Sequence, residues 1–259
     1  MDDILSGGSE LSQDDKRTIK ALGIEWNTTN DSFSYKVTTN SRLTYTKRKV
    51  LSDIARIYDP LDLIGPVITR DKIFMQSLWL INIDWHEHLS EPSAKQWTHF
   101  VSTLTVIEKL RIPRRAVKPN TTVVLHGFAD ACETAFGAVL YLQSRSSEQC
   151  STELLYSKSR VSSLKKISVP RLEVCARLLL AQLVKKALSA LKLDISEVFL
   201  WSDSMIALAC IATSPHSLKT FVRNRVTKIQ NLTENYIWRH VFSKDNPSEF
   251  ICGGLNPEK

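Results

Sequence analysis

The second half of this sequence predicts an α/β fold built on a mixed sheet, and three observations lead there. Two β-forming runs, Val123 to Phe128 and Thr134 to Leu142, flank a short turn. A long helical pattern follows Pro170, with Leu172, Cys175, Leu179, Leu183 and Ala187 at helical spacing. Val198 to Trp201 is then an apolar strand ending at Ser202-Asp203. Glu153 to Val161 and Tyr236 to Phe242 add two further strands, for five in all. The order of three strands, a helix, a strand, helices, a strand and a helix is an α/β layout.

Before that half, the chain reads as a smaller and mostly helical segment. Ile24, Trp26, Phe33, Tyr35 and Val37 flank a turn-rich stretch, Thr28 to Ser32, and predict a hairpin. Val50, Leu51, Ile54, Ile57 and Tyr58 predict a helix over 46–58, which Asp59-Pro60 ends. A second helix is expected over 66–81, with Ile68, Ile73, Leu78 and Leu80 facing a core. Ser90 caps a third, with Pro92 in its first turn and Trp97, Phe100, Leu104 and Ile107 on one face. The segment 111–122, with two prolines and four basic residues, reads as a linker and a domain boundary.

Within the second half, Asp130 ends the first strand and Gly137 interrupts the second, as glycine does where another part of the chain comes close. Ser168 is a candidate cap for the long helix, with Pro170 just inside and Glu173 in the first turn. A short helix over 204–211, a helix after Pro215 and a last short helix over 247–252 complete the layout.

The chain has 259 residues, enough to bury a core, and 43% hydrophobic with 24% charged residues is a globular composition. Its net charge of +7 favours a polyanionic partner, nucleic acid above all. The five cysteines are widely spaced, with no CxxC pair. This argues against a disulfide framework or zinc site and for a reducing, intracellular location, cytoplasm or nucleus. No apolar run reaches membrane-spanning length, and the N-terminus is no signal peptide.

Four acids carry the chemistry. Asp130 and Asp203 each end a strand, the edge where open α/β sheets bind ligands. Glu173 starts the intervening helix and Glu249 starts the last one, so both can reach that edge. Clustered carboxylates repel unless cations lie among them, and oxygen donors select magnesium or manganese. Two such ions can clamp the attacking water and leaving oxygen of a phosphodiester. Each acid also has a plainer explanation: a turn residue at Asp130, a partner for the helix dipole at Glu173, ordinary caps that never meet. Two basic groups lie near these acids, Lys158, Arg160, Lys165, Lys166 and Arg171 in one, Lys219, Arg223, Arg225 and Lys228 in the other. Either can bind phosphates or simply be a solvated face.

The motifs GFADA at Asp130, KISVPRLEVCARLLLAQL around Glu173, LWSDS at Asp203 and RHVFSKDNPSE ending at Glu249 resemble, in order and spacing, the ribonuclease H domain of Pao/BEL retrotransposon polyproteins. KRKVLSDIARIYDPLDLIGPV is similar to the Pao segment ahead of that domain, with Asp62 where a glycine is usual. LGIEWNTTNDSFSYKV is similar to the end of a reverse transcriptase palm. The resemblance implies a palm remnant over 1–40, a thumb- or connection-like segment over 41–118, and a ribonuclease H-like domain over 119–255 with a mixed five-stranded sheet and flanking helices. It further implies hydrolysis of the RNA strand of an RNA–DNA hybrid with two Mg2+ or Mn2+ ions, which Asp130, Glu173, Asp203 and Glu249 hold. The alternative is a catalytically inactive nucleic-acid-binding remnant.

Departures from the family pattern qualify this. Glu249 stands where the family has aspartate, and CGG follows where SRG is usual. His240 lies too far upstream to match the mobile histidine of cellular ribonucleases H. Asp2 and Asp3 match the polymerase aspartates, but their motif tyrosine falls before Met1, so polymerase activity is not expected. The family carries a peptidase label, yet no Asp-Thr-Gly or Asp-Ser-Gly loop occurs and peptidase activity is not expected either.

Overall fold

The computed structural model describes residues 18–21, 24–38 and 44–258; the readings made on Asp2 and Asp3 lie outside these residues. The chain forms two compact units. One takes in the described residues up to Pro60, Arg70–Arg115 and the residues from Leu255 on; the other is Leu61–Thr69 with Ala116–Gly254.

In the first unit, strands β1 (Thr18–Ala21), β2 (Ile24–Asn27) and β3 (Ser32–Tyr35) form an antiparallel meander. The β2–β3 turn is tight because Asn27 Oδ1 accepts from the N–H groups of Thr29 and Asn30, and Asp31 takes a left-handed φ of 49°. Helix α1 (Lys47–Ile54) is capped by Thr46, whose hydroxyl accepts from Lys49 N. Helix α2 (Gly65–Leu80) begins in the second unit and continues into the first. Helix α3 (Glu91–Thr103) runs on as a 3-10 turn over Leu104–Lys109. Trp97 stacks between Phe74 and Phe100 at ring separations of 4.9 and 5.2 Å, at the centre of a core that includes Val50, Leu78 and Ile107.

Three expectations are corrected here. Leu80 is 68% exposed: α2 ends at that residue, and its last turn buries Leu78 and leaves Leu80 outside. Ser90 occupies the cap position of α3, but its hydroxyl bonds Ser93 Oγ and caps no N–H. The expected linker is partly structured: strand β4 (Ile112–Pro113) pairs with β3, which joins the hairpin and the helical segment in one unit.

The second unit carries a five-stranded mixed sheet with flanking helices, in the order β7-β6-β5-β8-β9. Its strands are β5 (Thr122–Ala131), β6 (Ala135–Arg145), β7 (Cys150–Val161), β8 (Ile195–Ser202) and β9 (Ile237–His240). The first three form an antiparallel meander; β8 runs parallel to β5, and β9 parallel to β8. Helix α4 (Val169–Ala190) is the crossover that a parallel pair requires. Alternate residues of β5, Val123, Leu125, Ala129 and Ala131, pack on Leu172, Ala176, Leu179, Leu180 and Leu183 of α4. A second stripe of α4, Val174 and Ala181, packs on Ile211 of α5 (Met205–Ala212) and on Val226 and Ile229 of α6 (Thr220–Thr233). Burial on two sides accounts for the near-continuous apolar run in the α4 sequence. Helix α7 (Glu249–Gly253) closes the unit.

The outer edge of β7 is sealed by the short segment ahead of α2. Ser157 N donates to Leu61 O at 3.1 Å, and Ser159 N donates to Asp62 Oδ2 at 3.2 Å. Asp62 has a φ of 46°, a left-handed conformation that glycine adopts most readily. Aspartate tolerates that conformation, and its carboxylate adds an ion pair to Lys158 Nζ at 3.3 Å. This unit therefore includes residues upstream of 119.

Gly137 faces Asp130 across the β5–β6 ladder, and a Cβ there would run into the Ile251 side chain of α7 and lie 3.3 Å from Lys158 O. Gly137→Ala is therefore expected to lower stability by about 1–3 kcal/mol, measured as a lower urea midpoint with an unchanged slope. Asp71 of α2 is fully buried, and neither carboxylate oxygen has a hydrogen-bond partner among the described residues. Burial pushes its pKa well above the ordinary 3.8, so the folded state holds the proton more tightly than the unfolded state does. The stability tied to that proton is complete below the unfolded pKa and is lost as the pH rises. Asp71→Asn should thus stabilise the protein by about 1–3 kcal/mol at pH 7.5, with the gap closing as unfolding is measured nearer pH 4.

Candidate metal centre

The β5–β8 pairing sets the site. Ala129 lies opposite Ser202, so the next residue of each strand, Asp130 and Asp203, projects from the same end of the sheet. Helix α4 starts near that end. Leu172 and Ala176 of α4 are held by the sheet core, and this places Glu173 beside the two aspartates. One carboxylate oxygen from each of Asp130, Glu173 and Asp203 lies within 4.8 Å of the others. Glu173 is the fifth residue of α4, one turn further in than its sequence suggests, so the helix dipole is not its main partner.

That partner is Arg177, one turn on. Its side chain is fully buried, and Nη1 bonds Glu173 Oε2 closely while Nη2 donates to Asp203 Oδ1 at 3.1 Å. Nε and Nη2 both donate to Ser202 Oγ, at 2.9 and 2.6 Å. Burial pushes the Glu173 pKa up to about 7; Arg177 opposes this shift, and the charges of Asp130 and Asp203 add to it. Asp130 Oδ2 accepts from the Cys252 thiol of α7 at 2.8 Å. Hydrogen bonding with Cys132, burial and the Asp130 carboxylate together push that thiol far up, so it remains a donor. Three convergent carboxylates are a donor set that suits a hard divalent cation.

Glu249 is not part of this cluster. Ser248, Ile251 and Cys252 of the same short segment are buried, and Asn246 Nδ2 donates to Ala129 O at 3.4 Å. With inward positions at 248, 251 and 252, helical geometry turns Glu249 and Phe250 outward to the surface. Cys252 takes the place beside Asp130. Sequence reasoning missed Arg177. The available signal was a charged residue in a helix otherwise apolar on two sides, four residues after Glu173.

The basic residues differ in exposure and in partners: Arg223 Nε donates to Leu218 O at 3.0 Å, and Arg171 lies 5.2 Å over the Phe221 ring. Arg160, Lys165, Lys166, Arg171, Lys219, Arg223 and Lys228 are exposed. Lys158 is paired with Asp62. Arg225 lies 3.5 Å over the Phe221 ring and donates to Cys175 Sγ, so it links α6 to α4. His240 is exposed at the end of β9 against Phe242. Among the described residues, no helix is long and apolar enough to cross a membrane.

Among solved structures, the chain is similar to the N-terminal RNase H domain of Rv2228c from Mycobacterium tuberculosis, at 9% identity and a TM-score of 0.36 over 51% of this chain and 94% of that one. It is similar to LC11-RNase H1 in complex with RNA/DNA hybrid, at 12% identity and a TM-score of 0.34 over 49% and 89%. It is also similar to a foamy viral protease-reverse transcriptase in complex with dsDNA, at 12% identity and 0.30 over 87% and 45%. Scores this low carry no argument on their own. No curated protein matches the chain in sequence. The family model of the Pao retrotransposon-like RNaseH-like domain matches residues 46–204, more than half of the chain and three of the four candidate acids. By that match and by its mixed five-stranded sheet, the chain belongs to the Pao retrotransposon RNase H-like family.

Proposed function

We propose that this chain is a retrotransposon-derived ribonuclease H that hydrolyses the RNA strand of RNA–DNA hybrids with magnesium or manganese. The observation that carries the reading is the convergence of Asp130, Glu173 and Asp203 at one sheet edge. When bound, the metal supplies an activated water and stabilises the leaving oxygen of the phosphodiester. Asp130, Glu173 and Asp203 hold it; Glu249, exposed at the start of α7, has no ligand role in this reading. The exposed residues Arg160, Lys165, Lys166, Arg171, Lys219, Arg223 and Lys228 hold the hybrid through its phosphates, with salt-dependent and sequence-independent affinity. Residues 1–40 are a palm remnant, 41–118 a connection segment that lends Leu61–Thr69 to the second unit, and 119–255 the nuclease, acting inside the cell.

A second reading is nucleic-acid binding without cleavage. It is favoured by Arg177, which already pairs two of the three acids. The two readings part on Asp203→Asn. The change is nearly isosteric, and Arg177 keeps Glu173 as a partner, so the fold should persist by circular dichroism. Metal-dependent cleavage of a hybrid should fall roughly 100-fold or more, since a misplaced reactant alone can cost that much. Hybrid affinity at fixed salt should stay the same or rise slightly. Cleavage by neither protein supports the binding-only reading; equal cleavage by both removes Asp203 from the metal site.

A further inference from the structure

Arg177 has no role in the proposed hydrolysis, yet it is a fully buried charge in direct contact with the site. We propose that Arg177 stands in for one of the two cations such an acid cluster would otherwise hold, so that the chain binds a single divalent metal ion. This rests on the metal-dependent reading above and fixes its stoichiometry.

Three observations carry it. The first is permanence. A guanidinium does not lose its proton, so this positive charge cannot be removed by titration as a lysine's can. The second is anchoring. Nε and Nη2 are fixed on Ser202 Oγ at the end of β8, Nη2 on Asp203 Oδ1, and Nη1 on both Glu173 Oε2 and the Glu173 carbonyl. Displacing the side chain from these acceptors would leave a buried charge without a partner, which is strongly unfavourable. An incoming cation must therefore share the cluster with Arg177.

The third observation is the charge balance. With all three acids ionised, as a cation among them requires, the carboxylates of Asp130, Glu173 and Asp203 with the Arg177 guanidinium leave a net charge of two negative. One divalent ion neutralises that charge, and a second would leave the substrate-free site two positive. The acid expected as a fourth ligand, Glu249, is exposed and outside the cluster, so it supplies no further negative charge there. Asp130 is the one member of the three with no bond to Arg177 among the described residues. Its Oδ2 accepts from the neutral Cys252 thiol, and its carboxylate is the natural first ligand for the single ion.

The test is Mn2+ binding to the full chain without nucleic acid, with free Mn2+ read by electron paramagnetic resonance. The expected result is one Mn2+ per chain, displaced by Mg2+ and weakened by Asp203→Asn. Arg177→Met should take up a second ion, or bind the first about tenfold more tightly or better. Arg177→Lys keeps the charge and should still bind one. Two ions on the unmodified chain, or an Arg177→Met titration identical to it, would overturn the proposal while leaving the metal-dependent reading intact. No Mn2+ binding, or binding indifferent to Asp203→Asn, would overturn that reading and this inference with it. If Arg177→Met does not fold by circular dichroism, the stoichiometries of the unmodified chain and of Arg177→Lys decide the matter.

Discussion

The parallel pairing of β5 with β8 is the constraint on which the rest of the nuclease-like unit depends. Antiparallel neighbours present opposite ends at a given edge; parallel neighbours present the same end. Only the parallel arrangement brings Asp130 and Asp203 out together. The same pairing rules out a hairpin between the strands, so the chain must leave the sheet and return through a long connection. Helix α4 is part of that connection, and its packing on Leu125, Ala129 and Leu140 sets how deeply Glu173 enters the edge. One topological choice thus supplies two of the acids directly and the third through the helix it makes necessary.

Much of this was legible in the residues. The succession of strands and helices along the chain, the α4 pattern and the placing of Asp130 and Asp203 at strand ends follow from period-2 and period-3.6 patterning and from caps and turns, which are local signals. What was not legible depends on packing between distant residues. The outward direction of Glu249 follows from which side of a five-residue helix meets Gly137, and no periodicity shows in so short an element. Leu80 looked like core by spacing, but helix ends bury only what another element covers. The role of Leu61 and Asp62 at the β7 edge rests on one backbone carbonyl and one carboxylate meeting strand N–H groups, which side-chain patterns do not report. Arg177 was visible as a charge in an apolar helix, but its two acidic partners are set by the fold.

The electrostatics of the edge reflect this crowding. Burial, and after it the charges of Asp130 and Asp203, whose carboxylate oxygens lie within 4.8 Å of its own, raise the affinity of Glu173 for a proton. The chain offsets part of that repulsion internally, with a guanidinium on one side and a thiol donor on the other. Sheet, helix and counter-charge together let the acids stay close without depending wholly on an external ion. The exposed lysines and arginines of α6 and of the loop before α4 are a separate charge system, in water and open to salt.

The contact between Asp62 and the edge of β7 has a consequence for how this sheet can be handled. A bare strand edge is a template for pairing with another chain, and β7 is twelve residues long. Leu61 and Asp62 occupy hydrogen-bonding positions along it, and the buried carboxylate draws in Lys158 as well. The residues that keep this sheet from recruiting a neighbour come from more than fifty positions upstream of its first strand. A fragment of the RNase H-like unit cut at the apparent linker would lose that cover and present Ser157 and Ser159 to self-association, whatever the state of its acid cluster.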